Sequence, residues 1–440
     1  MTALPSERMA SETPITSASE LTRGQRLRAI MAGSAGNLIE WYDFYVYAFM
    51  ALYFAPLFFP QGDRTAQLLN VAGIYAVGFL IRPLGGWFFG RYADRRGRRA
   101  AMVASVLLMG AGSLLIAALP TYAVIGAAAP LLLLVARLAQ GFSTGGQYGA
   151  AATYLSEVAS TKNRGFYAAF QHVTLMGGQL SALLVLILVQ QAFPEDTIRA
   201  WAWRIPFALG AVIALVVLLL RDHMHETVTP ADGAKDREAG SLAALARHPH
   251  ALFVVVALTA GGAVTLYTFT TYMQKFLVNS AGMDVKTVSG VMTAAMVVFM
   301  LLQPAIGALS DRIGRRTCLL IFTGVMTLAA VPLLTALGKV EGPVQAFLLV
   351  LAALTILSFY TAISGLFKAE LFPSHVRALG VGLAHSVSAA IFGGSAEYLA
   401  LWFKQVGHEG WFFVYVAGLC LLSFLVALST RMPRRDDMTA

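Results

Sequence analysis

Twelve apolar segments, each about 20 residues or longer, run through this chain and limit what it can fold into. A helix of about 20 apolar residues crosses the roughly 30 Å hydrocarbon core of a bilayer. The composition agrees, because 58% of the residues are hydrophobic and only 12% are charged, unlike a soluble domain. We therefore predict an all-α, polytopic membrane protein with twelve transmembrane helices. The segments lie near residues 30–58, 67–90, 101–119, 124–154, 165–192, 201–220, 251–278, 287–309, 317–337, 344–369, 377–403 and 411–429.

A charged motif with the pattern G-x-x-x-D-R-x-G-R-R occurs twice, starting at Gly90 and at Gly307. The copies are 217 residues apart in a chain of 440, and a repeat on this scale indicates two halves built on one plan. We expect each copy to form a short loop between two membrane helices. We predict two pseudo-symmetric six-helix bundles with a linker and two tails: 1–29 tail, 30–220 first bundle, 221–250 linker, 251–430 second bundle and 431–440 tail.

Lys and Arg are distributed unevenly between the two faces of this topology. With both termini on one side, the segments on that side contain 22 of the 32 Lys and Arg residues, and the opposite loops contain five. The positive-inside rule makes the richer side cytoplasmic. We therefore predict a multi-pass protein of the cell inner membrane with both termini in the cytoplasm. The net charge of +9 follows from this topology and gives no reason to expect nucleic-acid binding.

The sequence carries no signature of a cofactor, a metal site or an enzyme. Cys318 and Cys420 are the only cysteines, and the chain has no CxxC, HExxH, P-loop or GxSxG motif. Residues 1–29 are polar and lack the apolar core of a cleavable signal peptide. We expect no cofactor and no metal, and a membrane enzyme would need a nucleophile or a metal cluster that the helices do not show.

The repeated motif resembles the hallmark of the major facilitator superfamily, which follows the second helix and, more weakly, the eighth. The resemblance implies a gate, in which the charged residues hold the two halves together on the cytoplasmic side and separate as the protein changes state. A loop whose charges only set the membrane topology is the alternative. The residues that this resemblance assigns to gating are Asp94, Arg95 and Arg98, and Asp311, Arg312 and Arg315.

A second charge repeat lies at the ends of the fourth and tenth segments. Glu157 precedes Arg164 by seven residues, and Glu370 precedes Arg377 by seven. The resemblance implies that these four residues join the Asp of the motif in a charge relay. Alternatively they form exposed salt bridges at helix ends, which contribute a few tenths of a kcal/mol.

The first segment carries ionisable residues at its middle. Asn37, Glu40, Asp43 and Tyr47 follow one another at spacings of three, three and four, which places them on one face of a helix. An ionisable group near the bilayer centre costs about 2.5–3.5 kcal/mol on insertion scales, so it should face a cavity or a partner. Asp43 and Glu40 are therefore candidates for proton coupling. An ion pair that only packs the first helix against its neighbours is the alternative.

Two arginines lie deep within predicted helices. Arg82 precedes Pro83 and a pair of glycines in the second segment, and Arg137 lies in the fourth. A guanidinium binds a carboxylate through two hydrogen bonds, so both residues are candidates for binding an anionic substrate. Alternatively they neutralise Asp43 or Glu40.

The fifth segment adds further polar candidates. Gln171 and Gln179 are two turns apart on one face and could hold substrate oxygens. His172 is a candidate for proton coupling because imidazole titrates near neutrality, although an intramembrane His can also serve packing alone. The eleventh segment likewise contains a histidine, His385, and after a pair of glycines an acidic residue, Glu397.

The seventh segment contains a run of Thr and aromatic residues close to its predicted outer end. This composition suggests a helix that can break there. Tyr272 and Lys275 in this stretch are candidates for substrate binding, and the alternative for Lys275 is that its ammonium group reaches the outer water.

Three stretches narrow the resemblance to the metabolite:proton symporter branch of the superfamily: 36–44, 82–86 and 137–141. The resemblance implies a proton-coupled symporter that imports an organic anion, a dicarboxylate first of all, and acts as a monomer in the bilayer. Relatives commonly have Glu where this chain has Gln147. If that Glu takes part in their proton coupling, the role here falls to Glu40, Asp43 or a His, or coupling is altered. A symporter for citrate, shikimate or a zwitterion, and a channel or sensor, are the remaining alternatives.

Overall fold

The structure, a computed structural model, describes residues 23–96, 98–145, 163–221, 242–373 and 376–430. Within these ranges it does not describe the side chains of 23–37, 39, 90, 91, 93–96, 98–102, 217–221 and 378. The described residues form twelve long helices and four short ones, and contain no β-strand. The short helices are Tyr122–Ile125, Glu195–Ala200, Ala202–Arg204 and Leu242–Leu245. The long helices are α1 Arg23–Phe58; α2 Arg64–Leu80 with Arg82–Arg96; α3 Arg98–Ala118; α4 Ala128–Thr144; α5 Arg164–Ala168 with Phe170–Ala192; α6 Ile205–Arg221; α7 Pro249–Tyr267 with Thr268–Tyr272 and Met273–Asn279; α8 Val285–Ile313; α9 Arg315–Leu337; α10 Pro343–Thr361 with Ser364–Glu370; α11 Arg377–Ser388 with Ala389–Gly393 and Ala396–Gln405; and α12 Glu409–Ser429.

The predicted all-α architecture of twelve membrane helices is confirmed. Among the described residues, eight helices are long and apolar enough to cross a bilayer by length and composition alone. The apolar stretches of α3, α4 and α6 within the described residues are shorter, and α1 carries Glu40 and Asp43 at its middle. The exact limits of the predicted bundles stay a prediction, because residues 222–241 lie outside the described residues.

The prediction that each copy of the motif forms a loop is wrong. In the first copy α2 continues to Arg96 and α3 begins at Arg98. In the second copy α8 continues to Ile313 and α9 begins at Arg315, so that Gly314 alone separates them. Gly314 has a φ of 90°, which favours a glycine, and one such residue is enough to end a helix and redirect the chain.

The helix contacts repeat when six is added to each helix number. In the first half α1 packs on α5 and α6, α2 on α4, and α3 on α4 and α6. In the second half α7 packs on α11 and α12, α8 on α10, and α9 on α10 and α12. The most extensive contacts between the halves are α2 with α11 and α5 with α8, which the same symmetry relates, and smaller ones join α1 to α7 and α5 to α10. The pseudo-symmetry predicted from the repeated motif is therefore present in the helix packing.

Helices α3, α6, α9 and α12 form the outside of the molecule. Their outward faces carry large apolar side chains, including Leu114, Leu215 and Leu425, which are each more than half exposed, and Leu328, which is 80% exposed. Such an apolar belt would be unfavourable in water and suits contact with lipid. The polar residues of the inner helices are correspondingly directed towards the interior.

Glycines bring α2 and α4 into direct contact and so position both candidate arginines. A Cβ atom at Gly141 would collide with the carbonyl oxygen of Gly78, and one at Gly145 would collide with that of Arg82. Small residues let helix backbones approach closely in this way. The helix α2 is also interrupted at Ile81, because Pro83 has no N–H to donate to the carbonyl four residues earlier. Arg82 thus lies directly after a break in its helix.

Two inner helices contain a π-helical segment, Thr268–Tyr272 in α7 and Ala389–Gly393 in α11. The first lies in the Thr-rich stretch in which we expected a break. A π-helical turn holds one more residue than an α-helical turn and is often found at functional sites. The two segments lie in helices that pack against each other.

Substitution of Gly141 tests the close approach of α2 and α4. We expect Gly141→Ala to lower the free energy of unfolding by about 1–3 kcal/mol, because the added methyl group must displace the α2 backbone. Gly418→Ala is the matched control, since Gly418 is a helical glycine of α12 whose Cβ would meet no atom within 4 Å. Denaturant titration in mixed micelles measures both variants. Equal stabilities of the two would contradict the packing described.

Candidate functional site

Arg82 is buried against aromatic rings between the two halves. Its guanidinium carbon lies 4.0 Å from the ring centroid of Phe79 and 4.2 Å from that of Phe44. Tyr267 of α7 interacts with it electrostatically and packs edge-on against Phe79, with 5.1 Å between ring centroids. Cation–π contacts of this kind hold a positive charge in a dry environment while leaving N–H groups available.

Arg137 is completely buried in α4 and faces the same rings. Its guanidinium carbon lies 4.3 Å from the centroid of Tyr47 and 4.8 Å from that of Phe44. Its Nη1 donates to Oε1 of Gln140 at 2.7 Å. Its Nε and Nη2 have no hydrogen-bond partner among the described residues.

The ring of Phe44 is therefore in contact with two buried guanidinium groups. Like charges that share a small apolar space repel each other, and the repulsion is stronger than in water. An anion with two carboxylate groups would relieve both the repulsion and the unfilled N–H groups. This arrangement is the strongest indication of an anion site in the described part of the chain.

The two acidic candidates of α1 face different neighbours. Glu40 is buried, interacts electrostatically with Arg82 and Tyr267, and has an unpartnered Oε2. Asp43 is turned towards α6, where a Cβ atom at Gly210 would collide with its Oδ1. Both its carboxylate oxygens are buried, the hydroxyl group of Ser113 in α3 is near enough to interact with it, and Arg137 is the cation that acts on it. Each acid is thus associated with one arginine, but neither forms a direct ion pair with it among the contacts described.

Lys275 does not reach outer water. Its side chain is 1% exposed, and its ammonium group lies 2.7 Å from Oε1 of Glu397, whose side chain is 3% exposed. The alternative in which Lys275 extends to the membrane surface is therefore wrong, because a buried carboxylate of α11 binds the ammonium group. Glu397 was not among the site residues that we predicted from the sequence. Its only signal was an acidic residue that follows a pair of glycines in an apolar segment.

The polar residues of α5 are buried with unfilled hydrogen-bonding capacity. Gln171 has an unpartnered Nε2, and neither amide atom of Gln179 has a partner among the described residues. His172 is also buried, and Lys368 of α10 acts on it electrostatically. Lys368 in turn lies 3.0 Å from Nδ1 of His385. The structure thus brings His172 close to a buried basic cluster of the second half rather than to the acids of α1.

Tyr272 is placed apart from the arginines. Its ring packs against Phe276 and Phe412. Glu397 acts on its hydroxyl group electrostatically, and the other polar residues near that group are Ser280 and Glu409. Both lie beyond Tyr272 towards the end of the molecule that is opposite the repeated motif. The structure therefore does not bring Tyr272 together with Arg82 and Arg137.

The end of the molecule that carries the motif, here called the motif end, is closed by charged residues from both halves. The N–H groups of Gly165 and Phe166, in the first turn of α5, donate to the carboxylate of Asp311 at 2.9 and 3.2 Å. Arg315 donates to the same carboxylate at 2.9 Å. A carboxylate at the N-terminus of a helix is favourable because it meets unpaired N–H groups and the positive end of the helix dipole. Asp311 thus connects the second half to the first.

Other predicted gating residues surround this contact. Glu370 interacts electrostatically with Arg315, Arg164 and Arg377, while Arg312 is exposed. The structure therefore brings together Glu370 and Arg377, the predicted relay residues of the second half, and Arg164, one of the two in the first half. Asp94, Arg95 and Arg98 belong to helices whose side chains are not described there, and Glu157 and Gln147 lie outside the described residues.

The opposite end of the molecule is closed as well. Gln190 of α5 donates to the hydroxyl group of Ser289 in α8, and Asn279 of α7 donates to that of Thr65 in α2, both at 3.2 Å. Between these contacts at the two ends, the arginines and Glu397 are buried. A surface cavity of about 230 Å³ at this end is lined by α1, α2 and Arg199, and does not include the arginines of the site.

Comparison with known proteins agrees with this architecture. The family model described as Major Facilitator Superfamily matches residues 42–396. The chain belongs to the major facilitator superfamily. It is similar to the alpha-ketoglutarate permease of Escherichia coli K12, with 55% identity over 95% of this chain and 97% of the relative. It is also similar to the citrate-proton symporter of Salmonella typhi, with 32% identity over 97% and 98%.

Solved structures of the superfamily share the fold. The partially occluded inward-open conformation of the xylose transporter XylE from E. coli matches 91% of this chain and 98% of its own, with a TM-score of 0.72 and 17% identity. That likeness concerns the fold alone. The superfamily predicted from the repeated motif is confirmed, as is the prediction of a multi-pass membrane transporter rather than an enzyme.

Neutralisation of Asp311 tests the contact at the motif end. We expect Asp311→Asn to change the ratio of closed to open molecules at this end by roughly tenfold, because hydrogen bonds to a charged group contribute about 1.5–3 kcal/mol. Spin labels at Asn163→Cys and Ile313→Cys, which are both exposed, report the opening as a longer distance in double electron–electron resonance.

Asp284→Asn is the matched control. Asp284 also accepts a backbone N–H at a helix N-terminus, that of Thr287 in α8, but it lies at the opposite end and is exposed. This variant should leave the distance distribution unchanged. If Asp311→Asn gives the distribution of the parent protein, Asp311 does not hold the motif end closed.

Proposed function

We propose that this protein is a proton-coupled symporter that imports a dicarboxylate, alpha-ketoglutarate first of all, by alternating access. The observation that carries the proposal is the pair of buried guanidinium groups that both contact Phe44, with acidic side chains acting on them. The substrate name comes from the relative with 55% identity, which is an alpha-ketoglutarate permease. The similarity to that relative extends over nearly the full length of both chains.

Arg82 and Arg137 are proposed to bind the two carboxylate groups of the substrate. A planar guanidinium offers two parallel N–H groups to a carboxylate, and both arginines have unfilled donors. The unpartnered amides of Gln171 and Gln179 suit the remaining oxygens, including a keto oxygen. Lys275 is a third buried cation that could bind the substrate. Tyr272 is a weaker candidate for substrate binding because its hydroxyl group lies apart from the two arginines.

Proton coupling follows from the charge of the substrate. Import of a dianion against an inside-negative potential is opposed by about 2.3 kcal/mol per charge per 100 mV. At least two protons are therefore needed to cancel the charge that moves. Asp43 and Glu40 are proposed carriers, because a proton on either acid frees the neighbouring arginine for a substrate carboxylate. His172 is a further candidate, although it lies beside Lys368 instead.

Alternating access requires that the two closed ends open in turn. The Asp311 contact at the motif end, with Arg164, Arg315, Glu370 and Arg377 around it, is the proposed inner gate. Asp94, Arg95, Arg98, Arg312 and Glu157 are proposed to take part as the resemblance to the superfamily implies. The hydrogen bonds of Gln190 and Asn279 at the other end would then break when the site opens outward.

The setting proposed for this cycle is the inner membrane, with both termini in the cytoplasm. The uneven distribution of Lys and Arg supports this orientation and makes the motif end cytoplasmic. We propose that the protein functions as a monomer, because the arginines and acids of the site all come from one chain.

Uptake by proteoliposomes tests the proposal. With the purified protein, labelled alpha-ketoglutarate should accumulate when the outside is acidic and should equilibrate without accumulation after a protonophore is added. Unlabelled succinate, citrate, shikimate and glycine betaine serve as competitors. Accumulation of a competitor without alpha-ketoglutarate transport would assign another substrate, and flux without proton dependence would contradict a symporter.

The arginines provide the sharpest variants. We expect Arg137→Lys and Arg82→Lys to lower apparent affinity for the dicarboxylate by about tenfold to one hundredfold, because an ammonium group cannot replace a bidentate guanidinium. Arg199→Lys is the matched control, since Arg199 forms a half-exposed pair with Glu195 at 2.6 Å. Initial uptake rates at varied substrate concentration measure the effect. Unchanged affinity in both site variants would remove these residues from the substrate site.

A further inference from the structure

Lys275 is a proposed third cation of the site, but its buried partner Glu397 has no role in the transport cycle described above. A buried pair of this kind adds little stability, because desolvation of the two charges offsets most of their attraction. The pair joins α7 to α11 within the second half, whereas the arginines belong to the first. Its position on the inner faces of helices that meet the first half suggests a role beyond packing.

The pair has unused hydrogen-bonding capacity. An ammonium group has three N–H donors, and Oε1 of Glu397 is the acceptor that the described residues provide for Lys275. The second oxygen of Glu397, Oε2, is buried without a partner among the described residues. Such atoms are costly to bury, and the unfilled donors of Lys275 could receive a second carboxylate.

The groups around Glu397 connect it to the first half. Tyr272 of α7, Tyr47 of α1 and Tyr75 of α2 all interact with Glu397 electrostatically, and Lys275 is the cation that acts on it. Tyr47 and Tyr75 also interact with Arg137, whose guanidinium carbon lies 4.3 and 5.3 Å from their ring centroids. The two tyrosines thus connect the ion pair to the arginine of the first half.

Each residue of the pair follows a π-helical segment of its own helix, a feature often found at functional sites. Lys275 follows the π-helical segment Thr268–Tyr272 by three residues, and Glu397 follows the segment Ala389–Gly393 by four. A Cβ at Gly393 would collide with the ring of Tyr267, so the α11 segment rests on the ring that also interacts with Arg82. A change in the ion pair is therefore connected through packed side chains to both arginines.

We propose that Glu397 carries one of the co-transported protons and that Lys275 alternates between Glu397 and a carboxylate of the substrate. A proton from the outer side adds to the carboxylate of Glu397, which becomes a neutral acid. The ammonium group of Lys275, still charged, then binds the substrate carboxylate. When the substrate leaves on the inner side, the proton follows it and Glu397 binds Lys275 again. This inference rests on the proposed dicarboxylate symport and supplies a further proton site in addition to Glu40 and Asp43.

Glu397→Gln imitates the protonated state and should transport with one proton fewer. The test is the steady-state accumulation of labelled alpha-ketoglutarate in proteoliposomes, with the membrane potential clamped at zero and the pH difference varied. Each coupled proton contributes a factor of ten in accumulation per pH unit. We therefore expect the slope of log accumulation against pH difference to fall by one in the variant, while exchange of internal for external substrate continues.

Two outcomes would overturn the inference. An unchanged slope would mean that Glu397 carries no transported proton, and loss of exchange in a folded variant would mean that the pair only supports binding or structure. Glu409→Gln is the matched control, because Glu409 lies near Lys404 at 3.9 Å and accepts from Ser280 in a half-buried position. It should keep the slope of the parent protein.

A second variant covers the case in which Glu397→Gln does not fold. Lys275→Met combined with Glu397→Leu removes both charges and leaves no buried ion unpaired. This double variant should bind alpha-ketoglutarate at least tenfold more weakly than the parent protein. If its affinity and its slope of log accumulation against pH difference equal those of the parent protein, the inference is overturned. If the parent protein itself does not transport alpha-ketoglutarate, the proposed function fails first, and that result is separate from any difference between the variants.

Discussion

The burial of two guanidinium groups against one phenyl ring is the constraint on which the rest of this structure depends. Arg82 and Arg137 come from α2 and α4, and they face Phe44 of α1 at 4.2 and 4.8 Å. Their charges repel each other in an environment that cannot screen them well. Aromatic rings and nearby acids lower this energy without forming direct ion pairs to the arginines among the contacts described. This arrangement supports the proposal that the two arginines bind an anionic substrate.

The same constraint explains why the acidic residues matter. Glu40 is associated with Arg82, Asp43 with Arg137 and Glu397 with Lys275, so three buried carboxyl groups each have a cation of their own. A proton on an acid makes its cation available to a substrate. Competition between an internal and an external carboxylate can thus link proton binding to substrate binding without long-range communication. Burial of these side chains strengthens the interactions between their charges.

Much of the fold could be predicted from the sequence because a bilayer leaves the backbone few choices. Apolar segments of sufficient length predicted twelve helices, and the repeated motif predicted a symmetry that the helix contacts display. The motif itself was wrongly expected to form a loop, since a single glycine with positive φ at position 314 is enough to redirect the chain. Sequence spacing shows a charge pattern but not how few residues a turn needs.

The candidate site could be predicted in part. Arg82, Arg137, Glu40 and Asp43 were found because charges deep in apolar segments are costly. Glu397 was missed as a site residue because its partner Lys275 is 122 positions away, and only the packing of α7 on α11 brings them together. The aromatic surroundings of the arginines were also missed, since aromatic residues are common in membrane helices and their spacing does not show which cation they face.

The most direct test of the account is the number of protons taken up when the purified protein binds alpha-ketoglutarate. Isothermal titration calorimetry at one pH, in two buffers with different ionisation enthalpies, measures this number. The account predicts net uptake of protons from solution, since a substrate carboxylate takes the place of a protein carboxylate at a buried cation. Tight binding with no proton uptake, or with proton release, would contradict it.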